Sequence, residues 1–280
     1  MEISADPAAF AEKGFVILQE LIPRELCEAL NSRLECLLNG DYDLGVAPKK
    51  VPGAKELRRF QSGGAKVTTL RVVDAWKADA VFHQVVTSRQ LGQLAASLGG
   101  WSGARVAEDQ VWIKPPGAGP LVFHRDSPYF DFEPDDVITI WIALDDMTMD
   151  LGPLEYVVGS HRWGGRRGTA AQFFDASHRQ LMEDAARHEG IHPNEIDVVP
   201  VLVPQGGAGC HNGRLWHGSG PNQSKRCRRG LGIHFVPEKV RLWMKPDFKL
   251  LEETQQELID IQDQDYPVTY CEACIEKKFL

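Results

Sequence analysis

The sequence predicts a mainly β fold with flanking helices, an α+β chain whose core is a two-sheet jelly roll. Three observations carry this. From Arg105 to Pro237 the chain breaks into short apolar runs separated by turn residues, as a sandwich or barrel requires. Eight such runs, at 105–114, 121–124, 137–144, 154–158, 199–203, 208–211, 214–218 and 228–236, are the number a jelly roll uses. Helical periodicity is confined to the segments before, within one insertion of, and after this region. The expected organisation is one domain over residues 1–280. A helical layer (1–104) precedes the core (105–237), which is interrupted by a helical insertion (164–197) and followed by a tail (238–280).

Taken in order, Pro7–Lys13 predicts a short helix broken by Gly14, ahead of an apolar strand at Phe15–Leu18. Pro23 suits the first turn of a helix. Leu26, Leu30, Leu34, Leu37 and Leu38 then recur at helical spacing until Gly40. Residues 41–64 read as a loop bearing Lys49, Lys50, Lys55, Arg58 and Arg59. Such a charge cluster is expected to be solvated, with a lid that meets an anionic substrate as the alternative. A helix pair follows over Asp79–Leu98. The insertion holds a helical stretch, Ala170–His188, expected as a flap over one end of the sandwich, and the acidic segment Leu250–Gln262 has a helical pattern.

Two strands can be read residue by residue, because side chains alternate across a sheet. In 137–144, Ile138, Ile140, Ile142 and Leu144 share one face, and Val137, Thr139, Trp141 and Ala143 the other. In 228–236, Leu231, Ile233 and Phe235 face the helices, while Arg228, Gly230, Gly232 and His234 face the interior. A glycine-lined face beside an arginine predicts a ligand cavity with Arg228 pointing into it.

Composition excludes several classes. A net charge of −8 opposes a nucleic-acid binder that works through a positive field. The longest apolar runs, such as Val137–Leu144, are too short to span a bilayer. No basic and apolar secretory leader is visible after Met1, and six scattered cysteines form no disulfide framework, so a cytoplasmic location is expected. Cys271 and Cys274 form a lone CxxC, read as two surface thiols near a terminus.

The chemistry is carried by His124-Arg-Asp126 and by His217-Gly-Ser219, with Arg228 beyond. Two histidines and a carboxylate are the side chains of a facial triad, which holds Fe(II) and leaves three positions open. On a regular strand His124 and Asp126 would share a face, and the third ligand must come from a distant strand. His217 is preferred over His211 because it stands before Ser219 and Arg228. His161 is read as closing a turn after a strand. His83, His178, His188, His192 and His234 are read as core or surface residues, although His234 shares a strand face with Arg228.

In these motifs the chain resembles the phytanoyl-CoA dioxygenase family of iron(II)/2-oxoglutarate oxygenases. The matching residues are Phe10–Leu18, Gln110–Gly117 with Lys114-Pro-Pro-Gly117, His124–Phe130, Trp141, Gly152–His161, and His217-Gly-Ser219-Gly-Pro-Asn222-Gln-Ser224 through Arg228. The resemblance implies a double-stranded β-helix with Fe(II) held by His124, Asp126 and His217. It implies that Arg228 pairs with the distal carboxylate of 2-oxoglutarate, with Ser219, Trp141 and Gln110 along the same co-substrate. Family members often carry a lysine on an earlier strand, where this chain reads Leu70-Arg71. The implied reaction consumes O2 and 2-oxoglutarate, releases succinate and carbon dioxide, and hydroxylates a small organic or lipid-like substrate. The same ligands also serve desaturation, ring closure or epimerisation, and a silent jelly-roll binding protein is the reading from another class. Halogenating relatives have a small residue where Asp126 stands, so the carboxylate points to hydroxylation.

Overall fold

The computed structural model describes residues 5–62, 68–165, 177–243 and 257–273. Its helices are α1 (Pro7–Lys13), α2 (Arg24–Leu38), α3 (Ala54–Ser62), α4 (Ala80–Val86), α5 (Arg89–Gly99) and α6 (Gln180–His188). The early strands are β1 (Phe15–Leu18), β2 (Leu70–Val73), β3 (Gly103–Lys114), β4 (Leu121–His124), β5 (Phe132–Glu133), β6 (Ile138–Ala143) and β7 (Leu154–Val157). The later ones are β8 (Val198–Pro200), β9 (Ala208–Asn212), β10 (His217–Ser219), β11 (Arg228–Pro237), β12 (Arg241–Trp243), β13 (Leu258–Asp260) and β14 (Val268–Cys271).

A major antiparallel sheet runs β1-β9-β6-β11-β3-β14, with β2 also on β3, and a minor sheet runs β4-β10-β7-β8. Together they form the jelly-roll core of the cupin type that the sequence predicts. A small third sheet, β13-β12-β5, lies at one end. The side-chain alternation follows the predicted parity. Ile138, Ile140, Ile142, Leu231, Ile233 and Phe235 enter one cluster with α2, α4 and α5, whereas Trp141 and Ala143 pack between the sheets with Phe15, Leu154 and Tyr156. The first helix starts and stops where expected: the Asp6 carboxylate accepts from the amides of Ala8 and Ala9, and Gly14 ends it at φ 84°.

Six expectations are corrected. Residues 41–64 are not loop throughout, because Ala54–Ser62 is helical. Lys, Glu, Leu, Arg and Gln are strong helix formers, and Glu56 accepts from the Gly53 amide at its start, so the charge cluster concealed a helix. The described end of the tail, Leu258–Asp260, is a strand on β12, where the open sheet edge outweighs a helical local pattern. Residues 250–256 lie outside the described residues, as do 166–176 of the insertion. Helix α6 lies on the outer face of the minor sheet, with Met182 against Phe123, Val157 and Trp216, rather than over one end. Cys271 is buried at the end of β14 rather than on the surface, and Cys274 lies outside the described residues. The predicted run 199–203 is strand only at Val198–Pro200, and 214–218 narrows to His217–Ser219 after a turn at Gly213-Arg214. No disulfide joins the described cysteines, and no helix among the described residues is long and apolar enough to cross a membrane.

The glycine-lined face also differs from expectation in one respect. Gly230 does not open space for a ligand. The Trp141 indole lies over it, and a β-carbon at that position would overlap the ring. Gly230→Ala is therefore expected to destabilise the fold by about 1–3 kcal/mol through overpacking. Denaturant unfolding checks this; an unchanged midpoint would mean the indole can move freely.

Candidate active site

The two histidines start from paired strands. His124 on β4 stands directly opposite His217 on β10, with ring centroids 4.3 Å apart. Strand β4 ends at His124, so a shared strand face is not what brings Asp126 alongside. A turn does: the amides of Asp126 and Ser127 both donate to the Gly213 carbonyl, at 2.8 and 2.9 Å. Gly213 is required there because Ser127 and Val137 occupy the space a β-carbon would take.

Each histidine is oriented through its other nitrogen. His124 Nδ1–H donates to the Val122 carbonyl at 2.8 Å, and His217 Nδ1–H to the Leu215 carbonyl at 2.9 Å. Both Nε2 atoms are thereby left as ligands, and they face Asp126 Oδ1 at 3.6 and 3.4 Å. One ligand atom from each of the three residues lies within 4.8 Å of the others. Two imidazoles and a carboxylate at this spacing could hold an iron(II) ion.

Electrostatics tie the cluster together. Burial would raise the Asp126 carboxyl, but the nearby His217 charge and the close imidazoles of His124, His211 and His217 hold it well below its usual value. His217 moves the other way: burial lowers it, and Asp126 more than compensates. His124 is lowered by burial and by His217, and the same causes push His211 down to about 3. His211 does not join the ligand group. Its Nε2–H donates instead to the far oxygen of Asp126, Oδ2, at 3.0 Å. His234 faces inward, and His161 closes the short helical turn after β7, with its Nε2 3.2 Å from the Ala11 carbonyl oxygen.

Deeper in the barrel the sign of the charge reverses. Arg228 and Lys114 are register partners on β11 and β3, and both side chains are fully buried, at 1% and 0% exposure. Arg228 Nε and Nη2 have no hydrogen-bond partner among the described residues, and the guanidinium lies 5.5 Å from the centroid of the Trp141 ring. Lys114 Nζ donates to Ser219 Oγ at 2.8 Å and to the Gly220 carbonyl. Burial pushes Arg228 down to about 10; burial and Arg228 push Lys114 down to about 6. A buried guanidinium with orphaned donors, beside a buried lysine amine that an anion can protonate, fits a ligand such as a carboxylate.

A cavity of about 470 Å³ joins the two ends; it is lined by His124, Asp126, His217, Trp141, Gln110 and Arg228 among others. Gln110 is set by neighbours, donating to Glu108 and accepting from Arg71 at 3.4 Å. Arg71 stacks over Trp112 at 5.2 Å and lines the same cavity. Lys49 also reaches it, but its ammonium is met by Glu108 at 2.8 Å, which removes the main support for an anion-seizing loop. Lys114, Thr139 and His211 are the site residues whose roles the sequence reading missed. The signal for Lys114 was present: Val111 and Ile113 face the helices, so Gln110, Trp112 and Lys114 must face inward.

A jelly roll that joins a His-Asp-His cluster to a buried cation pocket defines the class of non-haem iron oxygenases that use 2-oxoglutarate. Comparison with known proteins agrees. Residues 10–230 match the phytanoyl-CoA dioxygenase (PhyH) family, and the chain belongs to it. Phytanoyl-CoA dioxygenase domain-containing protein 1 of Bos taurus is 25% identical over 270 residues, covering 85% of this chain and 91% of that protein. Among solved structures, the epimerase SnoN in complex with Fe3+, alpha ketoglutarate and nogalamycin RO shares the fold. Its TM-score is 0.69 at 18% identity, over 94% of this chain and 96% of that one. EctD from S. alaskensis, with 2-oxoglutarate and 5-hydroxyectoine, gives a TM-score of 0.64 at 18% identity, over 86% and 78% of the two chains.

Proposed function

We propose that this enzyme hydroxylates a small organic substrate, with His124, Asp126 and His217 holding iron(II) and Arg228 clamping the distal carboxylate of 2-oxoglutarate. The observation that carries the reading is the buried guanidinium of Arg228, with two orphaned donors, on the same cavity as the three converging ligand atoms. Arginine's planar fork suits a bidentate carboxylate contact, and Ser219, Trp141 and Gln110 would border the rest of the co-substrate. When bound, iron and 2-oxoglutarate supply the oxidative decarboxylation that activates O2 toward a C–H bond. The protein's part is orientation and exclusion of water: Trp141 lines the cavity against the Arg228 guanidinium, and Phe130 and Phe132, stacked 5.7 Å apart, line it as well. A carboxylate at Asp126 favours oxygen transfer over halide capture. We further assign the enzyme to the cytoplasm, supported by the absence of disulfides among the described cysteines.

The test is substrate-stimulated conversion of 2-oxoglutarate to succinate across a metabolite panel, with mass analysis of the product. A product one oxygen heavier supports hydroxylation. One lacking two hydrogens, or of unchanged mass, replaces it with desaturation or epimerisation. Absence of both 2-oxoglutarate binding and a visible charge-transfer band after anaerobic Fe(II) addition would sink the oxygenase reading.

Lys114 supplies an independent prediction. Its ammonium is pushed down to about 6 in the free protein by burial and by Arg228, so an arriving dianion must raise it. Co-substrate binding near pH 7.5 is then expected to take up a proton, and affinity should fall as pH rises through the bound-state value. Calorimetry in two buffers of different ionisation enthalpy measures this. Equal heats in both buffers would show that Lys114 does not respond to the ligand, and Lys114→Met should abolish the uptake.

A further inference from the structure

The Asp126 carboxylate is held from behind by a network that metal binding alone does not call for. Oδ1 faces the two histidine nitrogens, while Oδ2 accepts from the Thr139 hydroxyl at 2.7 Å and from His211 Nε2–H at 3.0 Å. Both donors are themselves fixed. Thr139 has one proton and gives it to the carboxylate, so its oxygen accepts from His234 Nδ1–H at 2.9 Å. His211 uses its Nε2–H on Asp126, so its Nδ1 accepts from the Tyr156 hydroxyl at 2.9 Å. Thr139, His211 and His234 come from β6, β9 and β11 and sit opposite one another in register; Tyr156 comes from β7 in the other sheet. All are buried.

We propose that Thr139 and His211 are positioning residues that restrict Asp126 to one-oxygen coordination, keeping Oδ2 off the metal. This rests on the metal-site reading above. The reason is a count of positions. Three one-atom ligands leave three positions open. A chelating co-substrate takes two and leaves one for O2. An aspartate whose second oxygen swings onto the metal fills that last position. Here the swing requires breaking two charge-assisted hydrogen bonds, each backed by a further buried partner.

The test uses Co(II) in place of iron, because the intensity of its visible bands reports coordination number, together with 2-oxoglutarate turnover by the iron-loaded enzyme. Thr139→Val keeps the shape and removes the proton; Thr139→Ser keeps the proton. His211→Phe and His211→Gln form a second such pair, should one valine or phenylalanine variant misfold. The expected result is altered Co(II) bands in T139V and H211F and a roughly 10–100-fold loss of turnover or metal affinity, the usual scale for a supporting partner. The Michaelis constant for 2-oxoglutarate should change little, and T139S and H211Q should recover most of the loss. Wild-type bands and turnover in T139V, or no recovery in T139S, would overturn the inference. A wild-type protein that binds no Co(II) would overturn the metal-site reading beneath it, and the inference with it.

Discussion

Replacing Arg228 with alanine is expected to raise the 2-oxoglutarate requirement by roughly 30-fold to several thousand-fold, since losing one partner of a buried charge pair costs about 2–5 kcal/mol. Metal binding should stay close to wild type, because Arg228 is not among the converging ligand atoms and its guanidinium lies against Trp141. Folding stability should also survive. Arg228 is buried with two unsatisfied donors, so its removal deletes a desolvation cost along with its packing. Titrating 2-oxoglutarate against decarboxylation, beside Co(II) calorimetry and thermal unfolding, separates these outcomes. Parallel losses of co-substrate and metal binding would show that the arginine serves the whole site and not the distal carboxylate.

Asp126→Ala is expected to reduce 2-oxoglutarate turnover to background and to weaken metal binding beyond the roughly 10–100-fold typical of a supporting residue. Substantial retained hydroxylation would remove Asp126 from the ligand set. The substitution also has a pH signature in the metal-free protein. The depressed Asp126 carboxyl contributes stability that is present above its unfolded value and lost as pH falls through the folded one. Raised His217 contributes stability present below its unfolded value and lost as pH rises through the folded one. The stability gap between wild type and variant should therefore be widest between about pH 4 and 6.5 and shrink above it. Denaturant unfolding in chelator at several pH values measures that gap; a gap independent of pH would deny the coupling.

The parts of the site that were legible in sequence are those governed by short-range rules. Alternation along 137–144 and 228–236 put Trp141 and Arg228 on the interior face, and they are there. The choice of His217 over His211 as the partner of His124 and Asp126 matches the cluster of converging ligand atoms. Other features depended on partners remote in the chain. Asp126 reaches its place through a turn pinned by Gly213, and strand parity could not reveal that. Gly230 looked like room for a ligand until Trp141 was found in that room. Leu258–Asp260 had a helical pattern but met the free edge of β12.

The sequence by itself therefore determined the β-rich core, the identity of the interior faces and the residue types that gather in the His-Asp-His cluster, because strand period and ligand chemistry are local properties of the chain. Only the tertiary structure decided that Lys114 lies against Ser219 beside Arg228, and that Thr139 and His211 share one oxygen of Asp126. Those contacts join residues from 13 to 105 positions apart. They exist because two sheets close on each other, and burial then favours a partner for most polar atoms.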